Sequence, residues 1–402
     1  MAGGGTKLEV TVEKLVYGGE GLSRVDGRVV FTRLVLPQER VLVEVEHERP
    51  GMVWARPVEI LAPAPERVPA PCPYFGRCGG CHYQHATYDY QLAAKRSILA
   101  EALRRIGKID APDDIAIVAG EPWEYRNRAQ FHLNGTDIGY LEAGSHKLCP
   151  VEACPISSPR INRTLARLRT MVRDRRWPRF VRSIEVFTNE SEVLLHVVET
   201  DRPVAQRFFD WCAEEIPGYA PVALDYPAAA RLYRVSRASF FQVNRCLVDR
   251  LVEVALDGAG GGRAADVYAG VGLFSIPLAA HFGEVVAVES GSSTVRDLRF
   301  NVERAAANVS VVQGSAEDYL LGLSSAPDFV LLDPPRAGMG KRVVERLADL
   351  KPGRITIVAC DPTTLARDLA GLLAAGYALE KLTLVDLFPQ TYHIETVAAL
   401  RA

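Results

Sequence analysis

Between residues 6 and 61 apolar and polar positions alternate over short runs: Leu8-Glu-Val-Thr-Val-Glu, Arg28-Val-Val-Phe-Thr, Val41-Leu-Val-Glu-Val-Glu and Val53-Trp-Ala-Arg. A period of two marks half-buried strands. Gly18-Gly19 and Asp26-Gly27 punctuate these runs, and Asp-Gly between alternating stretches signals a tight hairpin turn. The pattern predicts a small all-β module over residues 1–62. From Leu61 to Pro73 the chain turns to Pro and Ala, the composition of a semi-rigid linker. A helix is expected from Tyr88 to Ile106, with Leu92, Ile98, Leu99 and Leu103 on one face and Lys95, Arg96, Arg104, Arg105 and Lys108 as its basic positions. A mixed α/β region runs to about 225. From 226 to 402, short apolar runs alternate with helical segments. Strands are expected at Ala264–Tyr268, Val285–Glu289, Val309–Gln313, Phe329–Asp333 and Ile355–Cys360, followed by an antiparallel pair, Leu379–Phe388 and Ile394–Leu400. That order predicts a doubly wound α/β domain, whose ligands bind outside the carboxyl ends of the strands.

Composition narrows the class. At 402 residues the chain is long enough for two or three domains. No apolar run approaches the roughly 18 residues of a membrane span, and Met-Ala-Gly-Gly-Gly-Thr-Lys has no apolar leader. A cytoplasmic protein is expected, in which the eight cysteines serve as metal ligands, catalytic groups or core residues rather than disulfides. The net charge of −2 excludes a general polycation, but the charge is uneven. Nine arginines (160, 163, 167, 169, 173, 175, 176, 179 and 182) stand against one acid, Asp174, with Trp177 and Phe180 interleaved. So one-sided a run reads as a phosphate-binding footprint and predicts contact with nucleic acid.

Chemistry concentrates at the predicted strand ends. Asp266-Val-Tyr-Ala-Gly270-Val-Gly272 follows the first strand of the doubly wound region and Glu289 ends the second. Glycines there let backbone approach an adenosyl ligand, and the acid can accept ribose hydroxyls. The pattern suits S-adenosylmethionine as well as a dinucleotide, although the full dinucleotide fingerprint is missing. Asp333-Pro-Pro-Arg336 ends the fourth strand. Amino-group methyltransferases continue from comparable prolines with an aromatic that stacks on the target base; Arg336 stands here instead, which leaves carbon as the acceptor. Carbon 5 of uracil is a poor nucleophile until a thiolate adds at carbon 6, and Cys360, ending the fifth strand, can supply that thiolate. Removing the carbon-5 proton afterwards needs a base, for which Glu395 is the candidate. Cys72, Cys78 and Cys81, with Gly79-Gly80 between the last two, look like ligands of a small inorganic centre, with Cys149 or Cys154 as the fourth. Four thiolates suit zinc or an iron–sulfur cluster. Cys212 and Cys246 are expected in the core.

Together these motifs resemble the uridine-C5 RNA methyltransferase family, in its branch with an N-terminal TRAM domain and a [4Fe-4S] cluster, typified by bacterial 23S rRNA 5-methyluridine methyltransferases. The resemblance rests on Gly18-Gly-Glu-Gly21, Cys72-Pro-Tyr-Phe-Gly-Arg-Cys-Gly-Gly-Cys81 with Gln84, Ser239-Phe-Phe-Gln-Val-Asn244, Asp333-Pro-Pro-Arg336, Cys360-Asp-Pro-Thr-Thr364 and Phe388-Pro-Gln-Thr-Tyr-His-Ile-Glu-Thr396. It implies a class I S-adenosylmethionine domain behind a small TRAM/OB-like β-barrel and a central α/β iron–sulfur domain (63–225) with an arginine-rich surface. It also implies a [4Fe-4S] cluster on Cys72, Cys78, Cys81 and Cys154, whose Cys154-Pro-Ile156 context matches. Gln242, Tyr268, Glu289 and Asp333 would hold S-adenosylmethionine beside Gly270 and Gly272, with Cys360 as nucleophile and Glu395 as base. The implied partner is RNA, 23S rRNA ahead of the T-loop of tRNA, with no membrane and no obligate protein partner. Two rivals are a non-catalytic RNA-binding or ribosome-assembly protein and an iron–sulfur oxidoreductase using a dinucleotide. Two departures stand out: Leu273 where the family often has asparagine, and Gln38 after Pro37 where glycine is common.

Overall fold

The computed structural model describes residues 5–402; residues 1–4, on which the expectation of no apolar leader partly falls, lie outside them. Compactness divides the chain into two units. One holds Met1–Leu99, Tyr140–Cys149 and Phe388–His393, and the other Ala100–Gly139, Pro150–Leu387 and Ile394–Ala402. Among the described residues no helix is long and apolar enough to cross a membrane.

In the first unit a six-stranded sheet follows the alternating pattern, with strands Lys7–Thr11, Lys14–Leu15, Glu20–Val25, Arg28–Arg33, Arg40–Arg49 and Met52–Ala62. The inward positions Val10, Val12, Val30, Val35, Val41, Val43, Val53 and Ala55 form one buried cluster. Asp26 and Gly27 make the expected two-residue hairpin, both with positive φ (50° and 77°), as a type I′ turn requires. Pro37-Gln38 is a tight turn closed by Glu39 N donating to Leu36 O at 3.3 Å. Gln38 sits at φ 70°, the left-handed region glycine enters freely, which explains why glycine is common there. The Glu39 carboxylate is buried and accepts from Leu36 N and the Arg67 guanidinium.

The second unit carries an eight-stranded sheet. Its spatial order is Val309–Gln313, Phe282–Glu289, Gly261–Val267, Phe329–Leu332, Arg354–Ala359, Glu395–Arg401, Ala378–Val385 and Ala116–Val118. The first five are parallel and the final hairpin runs antiparallel, as the sequence predicts. The strand order reverses between Gly261–Val267 and Phe329–Leu332, so a crevice opens at their carboxyl ends. Phe329–Leu332 is buried at all four positions because parallel strands are covered on both faces. The predicted helix begins at Tyr88 but ends at Ala102, and Leu103–Gly107 continues as a π-turn with Lys108 in a left-handed cap.

The arginine-rich stretch departs from the sequence reading. The helix Pro159–Met171 buries Ile161, Leu165 and Leu168 and turns its arginines outward. Arg167 pairs with Glu215, Arg169 with Glu152, Arg176 with Asp174 and Glu215, and Arg182 with Asp201. Arg160 donates to Pro217 O and Arg179 to Gly135 O and Val172 O. Trp177 is buried. Only Arg163, Arg173 and Arg175 are exposed without such a partner among the described residues.

Candidate active site

Three turns at the carboxyl edge of the parallel strands build the site. After Gly261–Val267 the chain reverses through Tyr268, Gly270 and Gly272, all at positive φ (70°, 56° and 95°). A Cβ on Gly272 would stand 2.8 Å from Leu298 Cδ1, so this residue must be glycine for packing. A Cβ on Gly270 would meet nothing within 4 Å, which leaves that face of the turn open. Glu289 clamps the turn by accepting from Gly270 N at 3.0 Å and Gly291 N at 2.7 Å. A cleft of about 210 Å³ opens there, lined by Tyr268, Glu289, Ser290, Ser315, Glu317 and Met339 among others. Ser315, Glu317 and Met339 escaped the sequence reading, although the turn after Val309–Gln313 was legible as a strand end of the same edge. Leu273, at the departure from the family pattern, is buried, and its carbonyl accepts from Tyr233 OH at 3.3 Å.

The turn Asp333–Arg336 is tied to the helix Pro362–Ala374. Thr364 Oγ1 donates to Arg336 O at 3.4 Å, Arg367 to Ala337 O at 3.0 Å, and Met339 N to Asp368 at 2.8 Å. Asp361 caps that helix, its Oδ1 accepting from Thr363 N at 2.8 Å and Thr364 N at 3.0 Å. Cys360 is thereby held between a strand end and a capped helix. Opposite it lies the last strand: the antiparallel register pairs Ala359 with Thr396. The Glu395 carboxyl, first in that strand, lies close enough to Cys360 to raise its proton affinity.

The motif Ser239–Asn244 runs beside this edge with alternating faces. Phe241 is buried against Tyr226, Phe187 and Tyr233, whereas Phe240 is 59% exposed. Gln242 Nε2 reaches Asp333 Oδ2 at 3.4 Å, and its carbonyl accepts from Asn127 Nδ2 at 3.0 Å. The sequence reading chose Gln242 and passed over Phe240, an exposed aromatic of the kind on which a base can stack.

The site is dominated by carboxyls. Burial, and then the neighbouring Asp266, push Asp333 up to about 7. Burial likewise pushes Asp266 up to about 7, against the Ser275 hydroxyl that donates to its Oδ2, and Asp266 Oδ1 is buried without a hydrogen-bond partner. Glu395, 4% exposed, is raised well above the carboxylate range by burial and then by Asp333. Cys360 is pushed up to about 12 by burial and by Glu395 and Asp333, with Arg336 acting the other way. The resting thiol is therefore protonated, and a cation brought to this edge favours the thiolate and the ionised carboxyls.

The cysteine stretch lies in the first unit. Cys78 N donates to Tyr74 O at 2.8 Å and Cys72 N to Gln84 Oε1 at 3.3 Å. A Cβ on Gly79 would stand 3.3 Å from Ala143 Cα and from Leu141 O, a close approach that glycine fits without displacing either. Cys154 belongs to the second unit, its backbone N donating to Asn162 Oδ1 at 2.8 Å. No cysteine forms a disulfide, yet among the described residues no three His, Cys, Asp or Glu side chains are gathered to hold a metal ion. The expected four-thiolate set is thus not assembled by the chain alone; metal–sulfur bonds usually provide the energy that gathers such ligands. Cys149 and Cys212 are buried, but Cys246, expected in the core, is exposed because it precedes the apolar face of the helix Val248–Ala255.

Known proteins resemble this chain along nearly its whole length. The profile of the tRNA (Uracil-5-)-methyltransferase family matches residues 223–402, and that of the TRAM domain residues 4–58. An uncharacterized RNA methyltransferase of Aquifex aeolicus is 33% identical, the alignment covering 98% of each chain. The 23S rRNA (uracil(1939)-C(5))-methyltransferase RlmD of Pectobacterium atrosepticum is 34% identical over 97% of this chain and 93% of its own. Among solved structures, the tRNA (uracil-54, C5)-methyltransferase of Pyrococcus abyssi, crystallised with S-adenosyl-L-homocysteine, superposes with a TM-score of 0.77 at 25% identity, over 98% of this chain and all of that one.

Proposed function

Because this chain belongs to the RNA uracil-C5 methyltransferase family, we propose that it transfers the methyl group of S-adenosylmethionine to carbon 5 of a uridine in 23S rRNA through a covalent adduct on Cys360. The observation that carries this reading is that Cys360 follows the strand paired antiparallel with the one Glu395 begins, with Glu395 and Asp333 both close enough to raise its proton affinity. The cofactor supplies a methyl group on a cationic sulfur. The open turn at Gly270, the Glu289 clamp and the 210 Å³ cleft support the adenosyl end, with Tyr268, Gly272 and Gln242 around it.

The uridine must leave its stack to reach the thiol, which costs a few kcal/mol and least in a loop, and the exposed Phe240 can stack on an extruded base. Cys360 would release its proton to solvent and add as the thiolate to carbon 6, the electron pair of the 5,6 double bond becoming an enolate. Carbon 5 would then take the methyl group, whose bonding pair stays on the donor sulfur and neutralises it. Glu395 removes the carbon-5 proton, the double bond re-forms and the thiolate departs. Asp333 and Arg336 set the field around both groups. With RNA and S-adenosylmethionine, Cys360→Ala should form no adduct. Glu395→Gln should accumulate an RNA-linked species on a denaturing gel and lose turnover by about 10²–10⁴-fold. Full turnover by either variant contradicts its assigned role.

Three regions divide the work in this reading: 1–62 as RNA-binding module, 63–225 as cluster-bearing domain and 226–402 as methyl-transfer domain. RlmD of Pectobacterium favours rRNA; the tRNA enzyme of Pyrococcus keeps the T-loop as a second reading. For Cys72, Cys78, Cys81 and Cys154 we retain a structural [4Fe-4S] cluster, supported by the close spacing of the first three around Gly79-Gly80 and the Cys-Pro-Ile context of the fourth. Anaerobically purified protein should then contain about four irons and four sulfides per chain, and loss of both in Cys78→Ser would agree; metal-free, fully folded protein would refute it.

A further inference from the structure

The segment between the last two strands makes its contacts within the first unit. Phe388–His393 belong to the first unit, although Leu387 and Ile394 on either side belong to the second. Its centre is Gln390, at φ 68° in the left-handed region that residues with a Cβ disfavour. Gln390 and Gln91 are 2% and 1% exposed, and they bond reciprocally. Gln91 Nε2 donates to Gln390 Oε1 and Gln390 N to Gln91 Oε1, both at 3.0 Å. Gln390 O accepts from His82 N at 2.8 Å and Tyr83 N at 3.0 Å, the two residues after Cys81. Lys95 Nζ donates to Phe388 O at 2.9 Å, and the Tyr392 ring packs on His82.

We propose that Gln91 and Gln390 form a latch that fixes the register in which Glu395 enters the last strand, so that both are positioning residues for proton removal from carbon 5. The proposal rests on the reading of Glu395 as the base. Glu395 is the first residue of its strand, five residues after Gln390, and extended chain allows at most about 18 Å across that distance. Any slack at Gln390 therefore passes along the covalent chain to the base. Side chains alternate along a strand, so a slip of one residue would turn Glu395 to the opposite face and present Thr396 instead. A buried amide pair that bonds both side chain and backbone resists such a slip more than a hydrophobic contact does, because each broken bond strands a buried polar group. The latch has no reason to affect thiol addition, since Cys360 lies on the preceding parallel strand and its capped helix.

The test compares Gln91→Ala and Gln390→Gly with Glu395→Gln, using unmodified 23S rRNA and tRNA transcripts and methyl-labelled S-adenosylmethionine, and reads adduct formation and adduct resolution separately. Glycine tolerates φ 68°, so Gln390→Gly should fold normally. Both latch variants should form adduct at the wild-type rate, resolve it about 10- to 100-fold more slowly, and leave the RNA KM within about twofold. If Glu395→Gln traps adduct while the latch variants resolve it like wild type, or slow both steps equally, the latch is refuted and the base assignment stands. If Glu395→Gln traps none, the base assignment falls and the latch falls with it.

Discussion

At the scale of single residues, the site works against its own ionisation. Burial raises the proton affinity of three carboxyls and a thiol here, and neighbours add to it: Asp266 on Asp333, Asp333 on Glu395, and Glu395 and Asp333 on Cys360. Arg336 opposes this at Cys360 and Glu395, and in the proposed reaction the sulfonium of S-adenosylmethionine would add a second positive charge. Asp266 exposes the linkage to measurement. A native carboxyl at about 7 keeps a proton between about pH 4 and 7 that the unfolded chain has lost. Its contribution is therefore present at low pH and is lost as pH rises through 7. His82 and His85, lowered to about 4 chiefly by burial, act oppositely: their contribution is lost as pH falls below the unfolded value of about 6.5. The informative quantity is the stability difference between wild type and Asp266→Asn in denaturant titrations. From pH 5 to pH 8 it should move in favour of Asn by roughly 2–4 kcal/mol; a pH-independent difference would show that Asp266 titrates normally. The roles proposed for Cys360 and Glu395 could be argued from sequence because each ends or begins an apolar run. Phe240 could not be told from Phe241, since alternation does not say which face is wet.

At the scale of elements, patterning carried the strands because parallel strands are apolar on both faces and the module at the N-terminus is apolar on one. The final hairpin was legible because an antiparallel return brings the start of one strand opposite the end of another, here Glu395 opposite Val385. Arginine partners did not show in the same way. Glu152, Asp201 and Glu215 lie outside the basic window and reach it only through tertiary folding, so a local charge count overstated the free cations. Exposed pairs of this kind are worth little in stability, but they lower the charge offered to phosphate. RNA binding should accordingly depend on the exposed Arg163, Arg173 and Arg175. Their joint replacement by alanine should lower the slope of log K against log salt by about 2, at about 0.7 per phosphate contact. An unchanged slope would remove this helix and its following turn from the RNA-binding surface.

At the scale of the whole molecule, two compact units share three stretches of one chain, and the segment before the proposed base is among those exchanged. Contact clustering is a property of the fold that no linear pattern displays. The sequence accordingly suggested consecutive regions, while Phe388–His393 joins residues some 300 positions earlier. Among the described residues the cysteines read from spacing as metal ligands are not gathered into a site. The central claim, carbon-5 methylation of uridine in rRNA, is tested most directly by incubating the purified protein with methyl-labelled S-adenosylmethionine and separate unmodified 23S rRNA and tRNA transcripts, digesting each to nucleosides and identifying the labelled one. The account predicts label in 5-methyluridine from the 23S transcript, absent with Cys360→Ala. Label in any other nucleoside, or in tRNA alone, would contradict it.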